Sequence, residues 1–290
     1  MNTDLDNNEL LVIKFGGAYL CDKSKYQTLN DSNIDSFIEI IKHLVKGRFK
    51  LIVLHGAGSF GHHDAKKYKI TSGFNKGEYQ SDVGICKTRQ SVLKLNALLI
   101  SRLNSECINA VSVSPFDSWL TQDNKVIQDN CRHLELLLSM DIIPILHGDV
   151  CLDTKIGCTI ISGDILIQTI CEKLRPKRAI FITDVNGVYN LPPSSHPNAK
   201  LLSFIHLNEN GDILNEQEQQ QQQQFVHKQD SCDVTGGMEA KIKSAKTIAS
   251  LYSVDTLIIG GTHHEIIQSQ NLIQNVLSLE RGTILSTKQL

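Results

Sequence analysis

Leu51-Ile52-Val53-Leu54-His55-Gly56-Ala57-Gly58-Ser59-Phe60-Gly61-His62 decides how this chain folds. Leu51 to Leu54 is a short apolar run, which is how a strand buried on both faces reads. Gly56, Gly58 and Gly61 follow directly. Glycines at the carboxyl end of a strand let bare backbone N–H groups approach an anion. Ser59 and His62 add side-chain donors, and His55 opens the turn. The competing reading is a tight strand-to-helix turn that leaves its histidines exposed.

Upstream, Leu10 to Phe15 is a second apolar run, interrupted only by Lys14 and followed by Gly16-Gly17. A lysine at the end of a buried strand, beside a glycine pair, places an ammonium over a phosphate. Ile34, Phe37, Ile38, Ile41, Leu44 and Val45 have helical spacing, with a Ser32–Asp35 capping box in front and Gly47 behind. Strand, loop, helix and strand then make a right-handed βαβ unit.

Downstream, Ser81 to Asn104 reads as a long helix with Val92, Leu95, Leu99 and Leu103 as its apolar stripe. Ala110 to Val113 and Ile142 to Leu146 read as strands around a helix over Asn130 to Met140. Val150 to Ile160 reads as a hairpin. Ser162-Gly-Asp164 opens a helix that Ser162 can cap, and Asp164 sits where the helix dipole favours a carboxylate. Arg178 to Thr183 is a strand ending in the polar turn Asp184-Val-Asn-Gly-Val-Tyr189. Gly236-Gly237 opens another helix at a position suited to phosphate. Met238, Ile242, Ala245 and Ala249 form its apolar stripe, with Lys241 outside it. Val254 to Ile259 is a further strand, and Arg281 to Ile284 a last one, placed at the sheet edge. Gln217 to Gln224 is a polar run that reads as a disordered surface insertion.

The alternation of strands and helices gives an α/β fold with a mostly parallel open sheet covered on both faces. The 290 residues read as one domain without a linker. A formal net charge of −2 gives no bulk attraction to nucleic acid, and Lys66-Lys67-Tyr68-Lys69 reads as a solvated helix face. The eight cysteines show neither CxxC nor zinc spacing and read as reduced thiols. No run is long enough for a membrane span, and the polar start is unlike a signal peptide. The expected location is cytoplasmic.

Lys14-x-Gly-Gly, His55-Gly-Ala-Gly-Ser-Phe-Gly-His62, Ser162-Gly-Asp164, Thr183-Asp-Val-Asn-Gly-Val-Tyr189 and Asp233-Val-Thr-Gly-Gly-Met-x-x-Lys241 occur in the order seen in the amino acid kinase superfamily. Within it the chain resembles the isopentenyl phosphate kinases, from Leu11 to about Thr283. The glycine-histidine element and Asp-Val-Thr-Gly-Gly-Met are the specific parts. The resemblance implies a three-layer αβα sandwich, with the phosphate acceptor bound by about 10–175 and ATP by about 176–290, and a homodimer. It implies transfer of the ATP γ-phosphoryl group to isopentenyl phosphate with Mg²⁺.

The same resemblance implies the site residues. Lys14, Lys23 and Lys241 would neutralise the phosphates, Asp164 would orient the lysines, and His62 would donate to the acceptor phosphate. Gly56, Ala57, Ser59 and Gly163 would line the acceptor site. Gly16, Gly17, Gly58, Asp184, Gly187, Tyr189 and Gly236 would meet ATP. The sequence departs from the family pattern at Ala18, often serine, and at Asn186, commonly aspartate. The glutamine run also has no counterpart in compact members.

No general base is required for such a reaction. A phosphate monoester with its second pKa near about 6 is already mostly dianionic at pH 7. The barrier is repulsion between anions, which positioning and fixed positive charge relieve. Two rivals stay open on sequence: a kinase of another small phosphate or phosphonate, like fosfomycin kinase, and a non-catalytic nucleotide-binding regulator. An apolar pocket beyond His62 points to a prenyl tail, a polar one to a hydrophilic acid.

Overall fold

The computed structural model describes residues 9–22, 24–191, 193, 195–214, 236–269, 272–273 and 281–288. In chain order the elements are β1 (Leu10–Phe15), α1 (Gly17–Leu20), α2 (Asp31–Lys46), β2 (Lys50–His55), α3 (Gly58–Lys67), α4 (Ser81–Ser105), β3 (Ala110–Ser112), β4 (Leu120–Gln122), β5 (Lys125–Gln128), α5 (Cys131–Ser139), β6 (Ile143–His147), β7 (Asp149–Asp153), β8 (Gly157–Ile161), α6 (Gly163–Leu174), β9 (Arg178–Thr183), β10 (Phe204–His206), α7 (Gly236–Leu251), β11 (Asp255–Gly260), α8 (His263–Gln268) and β12 (Thr283–Ser286).

Eight strands form one sheet in the order β10-β12-β11-β9-β1-β2-β6-β3. Every pairing in it is parallel except β11 with β12. Period-2 alternation divides each central strand between two cores. Leu10, Val12, Ile52, Leu54, Ala179 and Ile258 face the layer of α5, α6 and α7. Leu11, Ile13, Leu51, Val53, Ile180 and Ile259 face that of α2, α4 and α8. Both faces are therefore covered, and the apolar runs are continuous because neither face meets water. The result is the expected three-layer sandwich. A second sheet, β5-β4-β7-β8, carries the expected hairpin as β7 and β8.

Three local expectations are corrected. The strand near Arg281 to Ile284 is β12, and it lies between β10 and β11, so the edge belongs to the three-residue β10. The Ser32–Asp35 capping box is absent: α2 begins at Asp31, ahead of Ser32, whose hydroxyl donates instead to Asn30 Oδ1 at 2.9 Å. A reciprocal box is present at Thr262 and Glu265, at the start of α8. The long glycine turn is also shorter than it reads, because only Gly56 and Ala57 separate β2 from α3.

The seven described cysteines are free thiols. Among the described residues no helix is long and apolar enough to cross a membrane. The glutamine run at Gln217 to Gln224 lies outside the described residues.

Candidate active site

Lys14 shares its face of β1 with Leu10 and Val12, so strand alternation aims it toward the α6–α7 layer. It is 5% exposed. Its ammonium donates to Asp164 Oδ1 at 2.8 Å and stands 5.7 Å from the Phe181 ring centre. Asp164 lies in the first turn of α6, but it is not needed as the cap, since Ser162 Oγ accepts from Ile165 N–H at 3.2 Å. Its carboxylate is thereby available to hold the lysine. Gly163 makes room for the lysine stem: a Cβ there would sit 2.8 Å from Lys14 Cε. Ser244 of α7 donates to the Asp164 carbonyl oxygen at 2.9 Å and ties the two helices together.

The carboxyl ends of the central parallel strands converge on a cavity of about 900 Å³. In an open α/β sheet this rim is where ligands sit. Lys14, Gly16, Gly17, Gly56, Ala57 and His62 line it from the first part of the chain. Gly163 and Asp164 line it from the start of α6, and Asp184, Gly187, Tyr189 and Lys241 from the part after about 175. The two glycine elements cross in direct contact. A Cβ on Gly17 would fall 2.5 Å from Gly58 N, and one on Gly56 would fall 2.5 Å from Gly17 N.

Lys241 is only 7% exposed and shares the cavity with Met238 and Ile242. It does not point away from the apolar stripe into solvent, because the stripe and the lysine border the same recess. His62 is exposed, at the rim of the cavity.

Two residues expected at ligands have local structural roles. Ser59 is buried, and its hydroxyl donates to Thr28 O and accepts from Thr28 N–H, each at 3.2 Å. Gly58, with φ +51°, turns the chain into α3 beneath Cys21, its nitrogen packed against Gly17. Lys23 and Asp233-Val-Thr235 lie outside the described residues, while Gly236 is the first residue of α7.

Other lining residues escaped the sequence reading. Lys66 follows His62 by one helical turn, so the two share a face of α3. The basic cluster is therefore not purely a solvated face. Asp149 lies just past the end of β6, where ligand groups are common. Of the departures from the family pattern, Ala18 does line the cavity. Asn186 instead accepts from Arg281 Nη1 at 2.8 Å, and that nitrogen also donates to Gly260 O.

Beneath the cavity floor lies a buried polar layer. His55 and His147 are register partners at the ends of β2 and β6, with rings stacked 5.5 Å apart. His55 is therefore buried, unlike the exposed histidine of a bare strand-to-helix turn. Burial pulls His55 down to about 3, helped by repulsion from His147. Burial likewise pulls His147 down to about 4. Burial raises Asp149 to about 6, against the pull of Arg89, whose Nε lies 3.4 Å from Asp149 Oδ2.

These shifts oppose one another in acid. The unfolded chain protonates both histidines below about pH 6.5, whereas the fold keeps them neutral, so stability falls as pH drops from there toward 4. Each histidine contributes a slope of up to about 1.4 kcal/mol per pH unit. Asp149 binds its proton more readily in the fold, which offsets one histidine between about pH 6 and 4. The expected net result is a urea midpoint that declines from pH 6.5 to 4.5. A midpoint that holds steady would mean that the rings charge within the fold.

The model of the amino acid kinase family matches residues 9–260. The isopentenyl phosphate kinase of Arabidopsis thaliana is 36% identical over 245 residues, spanning 81% of this chain and 72% of that protein. That of Methanocaldococcus jannaschii is 32% identical over 240 residues, spanning 80% of this chain and 85% of the relative. An X-ray structure of isopentenyl phosphate kinase superposes with a TM-score of 0.75 at 27% identity, covering 96% of this chain and all of the other. The chain belongs to the amino acid kinase family and, within it, to the isopentenyl phosphate kinases.

Proposed function

We propose that this chain transfers the γ-phosphoryl group of ATP to isopentenyl phosphate, giving isopentenyl diphosphate and ADP. The observation that carries the reading is the buried Lys14 ammonium, held 2.8 Å from Asp164 in a cavity that His62 also lines. The relatives at 36% and 32% identity bear the same activity in their names.

The acceptor dianion enters on the side of Gly56, Ala57, Gly163 and His62, within the part of the chain over about 10–175. ATP enters on the side of Asp184, Gly187 and Tyr189, within about 176–290, with its triphosphate reaching Gly236 and, from the amino-terminal part, Gly16-Gly17. Lys14 stands between them and neutralises the oxygens of the group in flight. Asp164 keeps the lysine from relaxing toward either neighbour, so the charge is in place before the reaction starts. Lys241 adds a second cation from α7. His62 donates to the acceptor phosphate at the rim.

Mg²⁺ would enter on the ATP phosphates, where it needs few protein ligands. The ion would neutralise nucleotide charge. The reading includes a homodimer, as the resemblance of the sequence motifs implies, located in the cytoplasm.

Ala65, Val92 and Ile160 line the cavity on the His62 side. Those apolar groups favour a prenyl tail over a small hydrophilic acid. The intact Lys14–Asp164 pair weighs against a catalytically silent regulator.

An ADP-release assay with isopentenyl phosphate as the added acceptor tests the reading. Stimulated release with isopentenyl diphosphate as product supports it; no release above the ATP-only rate refutes it. In the same assay, His62→Ala is expected to lose about 2–4 kcal/mol of transition-state stabilisation, a fall in kcat/KM of about 30- to 1,000-fold. Unchanged turnover removes His62 from the acceptor site.

A further inference from the structure

We infer that His55 is a positioning residue: its buried imidazole holds the Gly56–Ala57 peptide so that the Ala57 N–H faces the cavity as a fixed donor to the acceptor phosphate. The inference rests on the proposed acceptor reading.

The geometry begins at the ring. His55 is fully buried, and its Nδ1 lies 3.1 Å from Gly56 O. A carbonyl oxygen only accepts, so Nδ1 carries the ring proton and donates it. Nε2 is then a lone pair, and it meets the side-chain amide of Asn96, whose Nδ2 donates at 3.1 Å. Asn96 is itself 1% exposed, on α4. A neutral ring has one proton, and this pair of partners fixes where it sits.

That proton sets the next peptide. The described chain contains no cis peptide bond. Across a trans peptide the N–H points opposite to the carbonyl. With Gly56 O turned down to His55, the Ala57 N–H is turned up, toward the cavity that Gly56 and Ala57 line. No backbone carbonyl among the described residues accepts from it.

His147 repeats the arrangement on the neighbouring strand. Its Nδ1 lies 3.3 Å from Gly148 O, and Gly148 also lines the cavity. Its ring stacks on His55 and keeps that ring from tilting. Gly148 N–H in turn donates to His55 O at 3.1 Å, which locks the two strand ends together.

The test reads the tautomer and the kinetics separately. Imidazole ¹⁵N shifts of the wild type, assigned with His55→Gln and His147→Gln, are expected to show Nδ1 protonated and Nε2 bare on His55. An Nε2-protonated ring overturns the inference. His55→Gln is expected to raise KM for isopentenyl phosphate about tenfold to a hundredfold, the reach of one hydrogen bond to a charged group, with KM for ATP within about twofold. An unchanged KM for isopentenyl phosphate, or a parallel rise of both constants, overturns it.

If His55→Gln fails to fold, His55→Phe serves. It keeps a ring packed between His147 and Asn96 but has no N–H, so Gly56 O loses the donor that aims the peptide. The same selective rise in KM is expected, and its absence counts against the inference. A wild type that leaves isopentenyl phosphate unphosphorylated refutes the proposed function instead, whatever the tautomer.

Discussion

Lys14→Ala is expected to lower kcat by about a thousandfold or more with every acceptor tried, which is about 4 kcal/mol of transition-state stabilisation. The size follows from where the charge stands. Phosphoryl transfer offers little covalent chemistry for a protein to assist, so a displaced cation removes most of what the site contributes. Lys14 is nearly buried, and water at that depth cannot replace it cheaply. Its loss also strands the Asp164 carboxylate, whose own field then opposes the incoming phosphates. KM for ATP is expected to rise far less than kcat falls, since Asp184, Gly187 and Tyr189 still line the far side of the cavity. Steady-state kinetics with isopentenyl phosphate decides it, and a variant within a few-fold of wild type excludes Lys14 from the reaction. Asp164→Asn separates charge from placement: the ammonium stays but is unpinned, and an intermediate loss is the result consistent with an orienting carboxylate.

The legible parts of the molecule are those where burial acts on both faces. β1, β2, β6, β9 and β11 read as apolar runs because helices cover the sheet on either side. β10 spans three residues, Phe204–His206, too few for any period to show, so its neighbour β12 reads as the sheet edge. The site divides in the same way. Lys14 was readable because a lysine inside an apolar strand demands a partner. Ser59 reads as a ligand donor because of its glycine neighbours, yet its hydroxyl is taken up by the Thr28 backbone.

The alternation carried a signal for His55. Leu51 and Val53 face the α2–α4 layer, so His55 points there too, toward Asn96 and away from Lys14's side. For Lys241 the helical angle was legible but not what stood opposite it. A residue outside an apolar stripe usually meets water; here it meets a recess. Nothing in local sequence distinguishes the two, because the recess is built by β1, α6 and the turn after β9.

Gly56→Ala is expected to destabilise the fold by roughly 4 kcal/mol or more and to leave little active protein. A methyl group there would meet Gly17 N at 2.5 Å and Gly17 Cα at 3.0 Å, both backbone atoms. Neither side has freedom to give way. β1 and β2 pair in parallel register up to Phe15 opposite His55, and Gly56 N–H donates to Phe15 O at 2.9 Å. Gly16 N–H is bound to Ile182 O at 2.8 Å on the other flank, which anchors the loop carrying Gly17. Relief therefore requires separating strand ends that also form the cavity wall. Gly163→Ala provides the contrast, since its nearest obstacle is the flexible end of Lys14, at 2.8 Å from Cε. That variant is expected to fold with a Tm near wild type while displacing the ammonium. Thermal denaturation of the two variants side by side tests the argument: equal melting temperatures would mean that the crossing of the glycine elements is softer than its contacts imply.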